Sequence, residues 1–330
     1  MKRVILSYDY ELFFGDLSGT VQKTLITPTE MLLEQFAASN LKATFFVDYL
    51  MIKYLRLNLD KRCKEDLRLI ETQIQDIVKR GHRIELHIHP HWVDAKYNGD
   101  GTWDFSNFTH YSLSSFPIED ITKMFIEGVD ILEELAQTVD SHYKIVAFRA
   151  GGWAVQPISN LLEGFRKTGI KIDSSACYGI KNVNDNSQYD FTLIPNKSYY
   201  RFSKSVDIED RTGQFVEFPI TSCYRNLLYK IADRLSFVFN KNMNSIADGT
   251  HYRKSESNIS KPHLFNRAMV NTTCVSTITA LSSIFFTSRK LVVVIDHPKD
   301  LTRNTLYILG KLSNKVHSTT YYEYYNNYIK

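Results

Sequence analysis

Gly81-His-Arg-Ile-Glu-Leu-His87-Ile-His-Pro-His91 decides how this chain is read. Arg83–Ile88 has the character of a short strand, and the stretch delivers three imidazoles at its end. His87 and His91 stand four apart, a spacing that on a helix would put two ligands on one face. Pro90 precludes a regular helix through His91, so the ligands must come from a turn leaving the strand. Two distant segments repeat this placement: Asp9-Tyr10-Glu11 ends the first apolar run and His297 ends the last. Imidazoles and carboxylates at the ends of separate strands predict a metal site assembled from distant sequence.

Outward from that stretch, strands are expected at Arg3–Tyr8, Ala43–Val47, Arg83–Ile88, Lys144–Phe148, Ile170–Ile172, Gln214–Phe218 and Leu291–Ile295. Amphipathic helices separate them. Thr27-Pro28-Thr29-Glu30 reads as a capping box ahead of Leu32, Leu33, Phe36 and Ala37. Leu67, Ile70, Ile74, Ile77 and Val78 form a second stripe, stopping at Gly81. Ile121, Phe125, Leu132 and Leu135 form a third. Ile158, Leu161, Leu162 and Phe165 form a fourth, closed by Gly169. Repeated strand-then-helix order means parallel strands with crossover helices. Asp9, Asp48, His87, Arg149, Asp173, Pro219 and His297 each sit at or just past a strand's C-terminal end. Parallel α/β barrels build their sites there, and so many contributing strands favour a barrel over a doubly wound sheet. No Gly-x-Gly-x-x-Gly or Walker loop supports a nucleotide cofactor.

The 330 residues can bury a large core, and 43% hydrophobic with 23% charged content fits a globular protein. Residues 1–330 read as one barrel domain with an insertion over 223–267. The net charge of +4 is uneven: Cys223–Arg267 holds eight Lys/Arg and three Asp/Glu, a net of +5. The basic character therefore belongs to one segment and does not indicate a nucleic-acid partner. Cys63, Cys177, Cys223 and Cys274 are far apart, as free thiols in a reducing compartment would be. The first apolar run is too short for a signal peptide, so the expected location is cytoplasmic. Within the insertion, residues 226–239 read as a helix with a wide apolar face flanked by Arg225, Lys230 and Arg234. Such a helix packs on the barrel or at a dimer interface, or lies on an anionic membrane surface, peripheral to the inner membrane. Asn240–Lys261 is Asn/Ser-rich and reads as mobile.

In Asp9-Tyr10-Glu11 both acids point the same way if the strand continues. One can bind metal while the other takes a proton from metal-bound water. His297 can serve as a general acid, or simply bond to backbone at a strand end. Arg149, entering a Gly-rich turn, can orient a carboxylate such as Asp9. Trp153 offers a stacking face for a sugar, and Trp92 beside the His run is a second candidate substrate-binding residue.

These segments together resemble a known family. Ser7-Tyr-Asp9-Tyr-Glu11, Gly81 to His91, Arg149-Ala-Gly-Gly-Trp153, Asp173-Ser-Ser and Val294-Ile-Asp-His297 come in the order of the five motifs of polysaccharide deacetylases, the NodB-homology (carbohydrate esterase family 4-like) family. The resemblance covers roughly residues 1–300. It implies a deformed (β/α)7 barrel, a divalent metal, often zinc, and hydrolysis of an acetyl group on a sugar. It implies His87 and His91 as metal ligands, Asp9 as general base, Arg149 as its orienting partner and His297 as the acid protonating the leaving amine. The chain departs from the family at the acid pair. Two adjacent Asp are usual, whereas here the second acid is displaced by one and is Glu11. Either Glu11 reaches the metal, or Asp9 binds it and the base lies elsewhere. Gly-Gly replaces the Pro of the usual Arg motif, and Tyr178 is the nearest aromatic after Asp173. The look is closest to the (WalW-like) subgroup linked to surface-polysaccharide biosynthesis.

The expected function is a metal-dependent deacetylase, with metal ligands Glu11, His87 and His91 and Zn2+ as the expected metal. Its expected substrate is a nucleotide- or lipid-linked N-acetyl sugar in lipopolysaccharide or capsule biosynthesis. The alternatives are a glycan-binding protein without turnover and a metal-dependent C–N hydrolase acting on a small amide.

Overall fold

The structure, a computed structural model, describes residues 1–183, 188–252 and 266–330. Seven strands run parallel: β1 (Lys2–Tyr10), β2 (Ala43–Asp48), β3 (Arg83–Ile88), β4 (Ala147–Ala150), β5 (Ile172–Asp173), β6 (Phe215–Glu217) and β7 (Leu291–Asp296). Their spatial order is β6, β5, β4, β3, β2, β1, β7. Tyr200–Phe202 adds antiparallel to β6, and Val316–Ser318 lies parallel to the start of β1.

No strand ladder joins β6 to β7; the residues just past β6 span the gap. Thr221 donates its backbone N–H to Val293 O at 3.0 Å, and Val270 donates to Thr221 O at 2.7 Å. The Thr221 hydroxyl accepts from Val293 N at 2.9 Å, and Ile295 N donates to Val270 O at 3.1 Å. The ring of seven strands thus closes through an irregular seam. The strand–helix order predicts such a parallel barrel, and the deformed (β/α)7 form is the one that the family resemblance implies.

Nine helices are described: α1 (Thr27–Ser39), α2 (Tyr49–Leu57), α3 (Lys61–Lys79), α4 (Ile118–Gln137), α5 (Leu162–Thr168), α6 (Leu227–Phe239), α7 (Thr277–Phe285), α8 (Arg303–Leu312) and α9 (Tyr321–Tyr328). Alternation along β1 sorts its side chains. Tyr8 and Tyr10 point out to the helices, Tyr8 against Phe36 of α1 and Tyr10 donating its hydroxyl to Gln73 of α3 at 2.8 Å. Ser7 and Asp9 point inward, where both meet Arg149. On α3, Ile70, Ile74, Ile77 and Val78 are buried as the stripe requires. Gly169 ends α5 at φ 80°, a conformation that favours glycine. Gly128 lets α4 press onto β3, since a Cβ there would lie 2.7 Å from Leu86 and 2.9 Å from Tyr49. One contiguous core runs from β1 to α9.

Two expectations change, and one helix is additional to those expected. Thr27 makes no capping bond, because Gln22–Ile26 already forms a wider helical turn that runs straight into α1. α2 follows β2 directly, its first turn capped by Asp48 accepting from Leu50 N at 3.3 Å. The stretch expected to be mobile is anchored over 240–252. Asp248 accepts from Thr20 N at 2.9 Å and from the Thr20 and Thr24 hydroxyls, while Thr250 N donates to Leu17 O at 2.8 Å. Residues 253–261 of that stretch lie outside the described residues.

Candidate metal centre

The C-terminal mouth of the barrel gathers side chains from β1, β3, β4 and β7. Glu11 follows β1, His87 lies in β3, and His89 follows it. One ligand atom from each falls within 4.8 Å of the others, and all three residues are buried. Glu11 Oε2 lies 2.9 Å from His87 Nε2 and 3.7 Å from His89 Nε2. The other His87 nitrogen, Nδ1, lies 2.7 Å from the backbone oxygen of Arg149, which fixes the ring and leaves Nε2 facing the carboxylate.

Burial alone would raise the Glu11 carboxyl, but the Lys299 ammonium and the His89 and His87 imidazoles outweigh it and hold it well below the usual range. Burial pulls His87 down, yet Asp9, Glu11 and Asp48 more than compensate and hold it up to about 9. His89 is pushed well down by burial, helped by the charges of His91 and His87. His89 is thus the neutral imidazole that a metal ligand needs, whereas His87 must give up its Nε2 proton for a cation to bind there.

Asp9 sits beside this triad on its own clamp. Arg149 donates from Nη1 to Asp9 Oδ1 at 2.6 Å. It spends its remaining donors on Ser7 Oγ, Ser174 O and Oγ, and Tyr321 Oη. The guanidinium is fully buried and lies 4.2 Å from the Phe46 ring centroid. Arg149, within β4, therefore orients Asp9, as its place near the strand's C-terminal end suggests. From the far side His297 Nε2 lies 3.5 Å from Asp9 Oδ2 and 3.7 Å from Glu11 Oε1. Its Nδ1 faces Asp300 Oδ2 at 3.4 Å. Burial first and Lys299 second lower the His297 pKa.

Two of the expected site residues do not join this group. The third donor beside Glu11 and His87 is His89, where the sequence reading has His91. Pro90 starts a 3-10 turn that holds the His91 ring one step back, its Nδ1 2.7 Å from His89 Nδ1. His91 Nε2 is buried with no hydrogen-bond partner. Trp92 is not a substrate platform: it is fully buried, donates Nε1 to Asp48 Oδ2 at 2.7 Å, and packs on Trp103 and Phe105. Trp153 remains half-buried, its ring edge-on to Tyr189. The aromatic wall nearest the triad is Phe14, stacked on His89 at 3.7 Å between centroids, with Tyr111 and Phe108 against His91.

Lys299 is the residue that sequence reasoning missed. Its ammonium is buried and donates to Glu11 Oε1 at 2.7 Å and to Leu12 O at 3.0 Å. Its one signal was proximity, two residues after His297. The sequence marks Asp48 only by its place at a strand end. It accepts from Trp92 Nε1 and His89 N, so it aims the His89 backbone, and burial pushes its carboxyl up to about 7.

The donor set suits a divalent ion: two imidazole nitrogens and one carboxylate oxygen converge, and Lys299 occupies only the opposite oxygen of Glu11. No family model matches the chain, and no curated protein does. Solved structures resemble it at low identity. A candidate polysaccharide deacetylase from Mycobacterium smegmatis is 14% identical, with 97% of this chain and 87% of that one covered and a TM-score of 0.48. A family 4 acetyl xylan esterase from Clostridium thermocellum, in complex with a cobalt ion, is 11% identical, covering 98% and 91%, with a TM-score of 0.42. The Bc1960 peptidoglycan N-acetylglucosamine deacetylase is 11% identical, covering 98% and 86%, with a TM-score of 0.42. The strand order and the geometry at the barrel mouth carry the reading that follows.

Proposed function

We propose that this chain is a metal-dependent deacetylase acting on an N-acetylated sugar. The observation that carries the proposal is the convergence of Glu11, His87 and His89, with Asp9 and His297 facing them from two sides. A bound divalent metal, with zinc suited to this donor set, supplies Lewis acidity and a more acidic water. Arg149 holds Asp9 aimed through Oδ1, so its free oxygen can accept a proton. His297, reachable from solvent and placed against both acids, can return a proton to the leaving amine. Burial of the triad excludes bulk water and strengthens each electrostatic contact. Trp153 and the Phe14–Tyr111 wall supply apolar faces for a sugar ring.

The proposed substrate is a nucleotide- or lipid-linked N-acetyl sugar of surface-polysaccharide biosynthesis, handled at the cytoplasmic side of a membrane. Support for the membrane-proximal part is the state of α6. None of its residues is buried, with Leu228 73% and Phe239 78% exposed. No helix among the described residues is long and apolar enough to cross a membrane. The four cysteines are unpaired, as a reducing compartment would leave them.

Lys299 favours one other reading, a glycan-binding protein without turnover. Its ammonium already balances Glu11, so the acid pair is neutralised without a metal. The experiment that separates the two is acetate release from N-acetylated sugars by the zinc-loaded chain. Turnover lost in Asp9→Asn supports the deacetylase. Stoichiometric glycan binding with no acetate release supports the binding protein.

A further inference from the structure

Between α6 and the start of β7 lies a cleft of about 330 Å³, far from the metal centre. Arg289 precedes β7 and His297 follows it. At about 3.3 Å per strand residue the two stand more than 20 Å apart along the chain. We propose that this cleft is a phosphate-binding site with Arg267 and Arg289 as its cations.

Both arginines line the cleft with Ser222, Ser282 and Tyr229 of α6. Arg289 donates through Nη2 to Asn196 Oδ1, while its Nη1 is buried with no partner. Its electrostatic neighbours are Arg267, Cys177 and Tyr178, with no carboxylate among the described residues. Arg267 is held in place rather than neutralised. Its Nη1 donates to Ser222 Oγ at 3.2 Å, and its guanidinium lies 4.1 Å from the Tyr224 ring centroid and 4.7 Å from that of Tyr178.

Two like charges lowered into one cleft repel, and a buried donor without an acceptor costs further free energy. Burial and the Arg267 charge both pull the Arg289 pKa down, so the arrangement is unfavourable as it stands. An anion removes both penalties at once. The shape selects which anion. Two guanidinium forks and a rim of serine hydroxyls offer more donors than one carboxylate can use, whereas a phosphate presents three or four acceptor oxygens. The rim beside the arginines is apolar: Phe286 is 84% exposed, and the uncovered face of α6 adjoins it. The phosphate can thus come from a phospholipid headgroup or from a soluble phosphorylated sugar. The assignment is independent of the deacetylase reading, because no residue of the metal centre takes part.

The test is calorimetric titration of the full chain with inorganic phosphate, repeated on Arg267→Gln and Arg289→Gln. The expected result is saturable binding that weakens about tenfold or more in each variant, the loss of one charge-assisted contact. Where a glutamine variant fails to fold, Arg267→Lys and Arg289→Lys keep the charge but lose the fork, and weakened binding is still expected. No binding by the native chain at millimolar phosphate, or equal binding by the variants, overturns the proposal. Sedimentation with phosphatidylcholine vesicles, with and without phosphatidylglycerol, then separates the sources. Vesicle binding that needs both phosphatidylglycerol and the two arginines assigns a lipid headgroup. Displacement of phosphate by glucose 1-phosphate without vesicle binding assigns a soluble sugar phosphate.

Discussion

Arg149 Nη1 and Asp9 Oδ1 lie 2.6 Å apart, joining β4 to β1 across a barrel interior that leaves the guanidinium no solvent contact. Breaking such a pair strands a buried charge. Arg149→Met should cost roughly 3–5 kcal/mol of stability. Denaturant unfolding of the variant checks this, and a change below about 1 kcal/mol would mean the pair is not structural.

Asp9 and Glu11 have different neighbours and should respond differently. Asp9→Asn should keep the metal and lose turnover by roughly 10²–10⁴, the usual contribution of a general base. Glu11→Gln should lose metal first. Metal content and acetate release, measured on the same preparations, distinguish the two. The opposite pattern would exchange the roles.

His89 rather than His91 stands beside Glu11 and His87. His89→Ala should therefore weaken metal binding more than His91→Ala. A larger loss in His91→Ala would show that the turn after Pro90 rearranges on metal binding and brings the buried His91 Nε2 forward.

Trp92 should matter to folding, not to substrate. Trp92→Phe removes the donor to Asp48 Oδ2 and should destabilise by about 1–3 kcal/mol, leaving KM unchanged. A raised KM at unchanged stability would return Trp92 to the substrate site.

The Glu217 carboxyl is pushed well above its ordinary range by burial first and by neighbouring Asp173 second. The folded chain thus keeps a proton that the unfolded chain releases near pH 4. This contribution to stability is complete below that pH and is lost progressively as pH rises toward the folded value. Glu217→Gln should flatten the alkaline side of the stability profile, followed by thermal unfolding from pH 5 to 9. An unchanged slope would mean Glu217 is ionised in the fold.

Much of the barrel was legible because parallel strands buried on both faces read as unbroken apolar runs, as Val292-Val-Val-Ile295 does. The site was legible in outline because its residues sit at the ends of those runs. What escaped depends on contacts between distant segments. Nothing local says that Lys299 turns inward to Glu11, since a lysine near a strand end is ordinarily solvated. Trp92 beside three histidines looked like a ligand face, and only the arrival of Asp48 from β2 makes it core. The choice between His89 and His91 depends on one 3-10 turn, which spacing alone does not determine. Tyr321, near the C-terminus, donates nothing to any local pattern, yet its hydroxyl accepts from Arg149 Nη2 at 3.0 Å.

The proposed metal site of Glu11, His87 and His89 is open to calorimetric titration of the metal-stripped chain with zinc, alongside His87→Ala. One zinc should bind per chain, with binding abolished in the variant because two remaining donors hold the ion weakly. A native chain that takes up no zinc, or a His87→Ala variant that binds it equally well, would rule the site out.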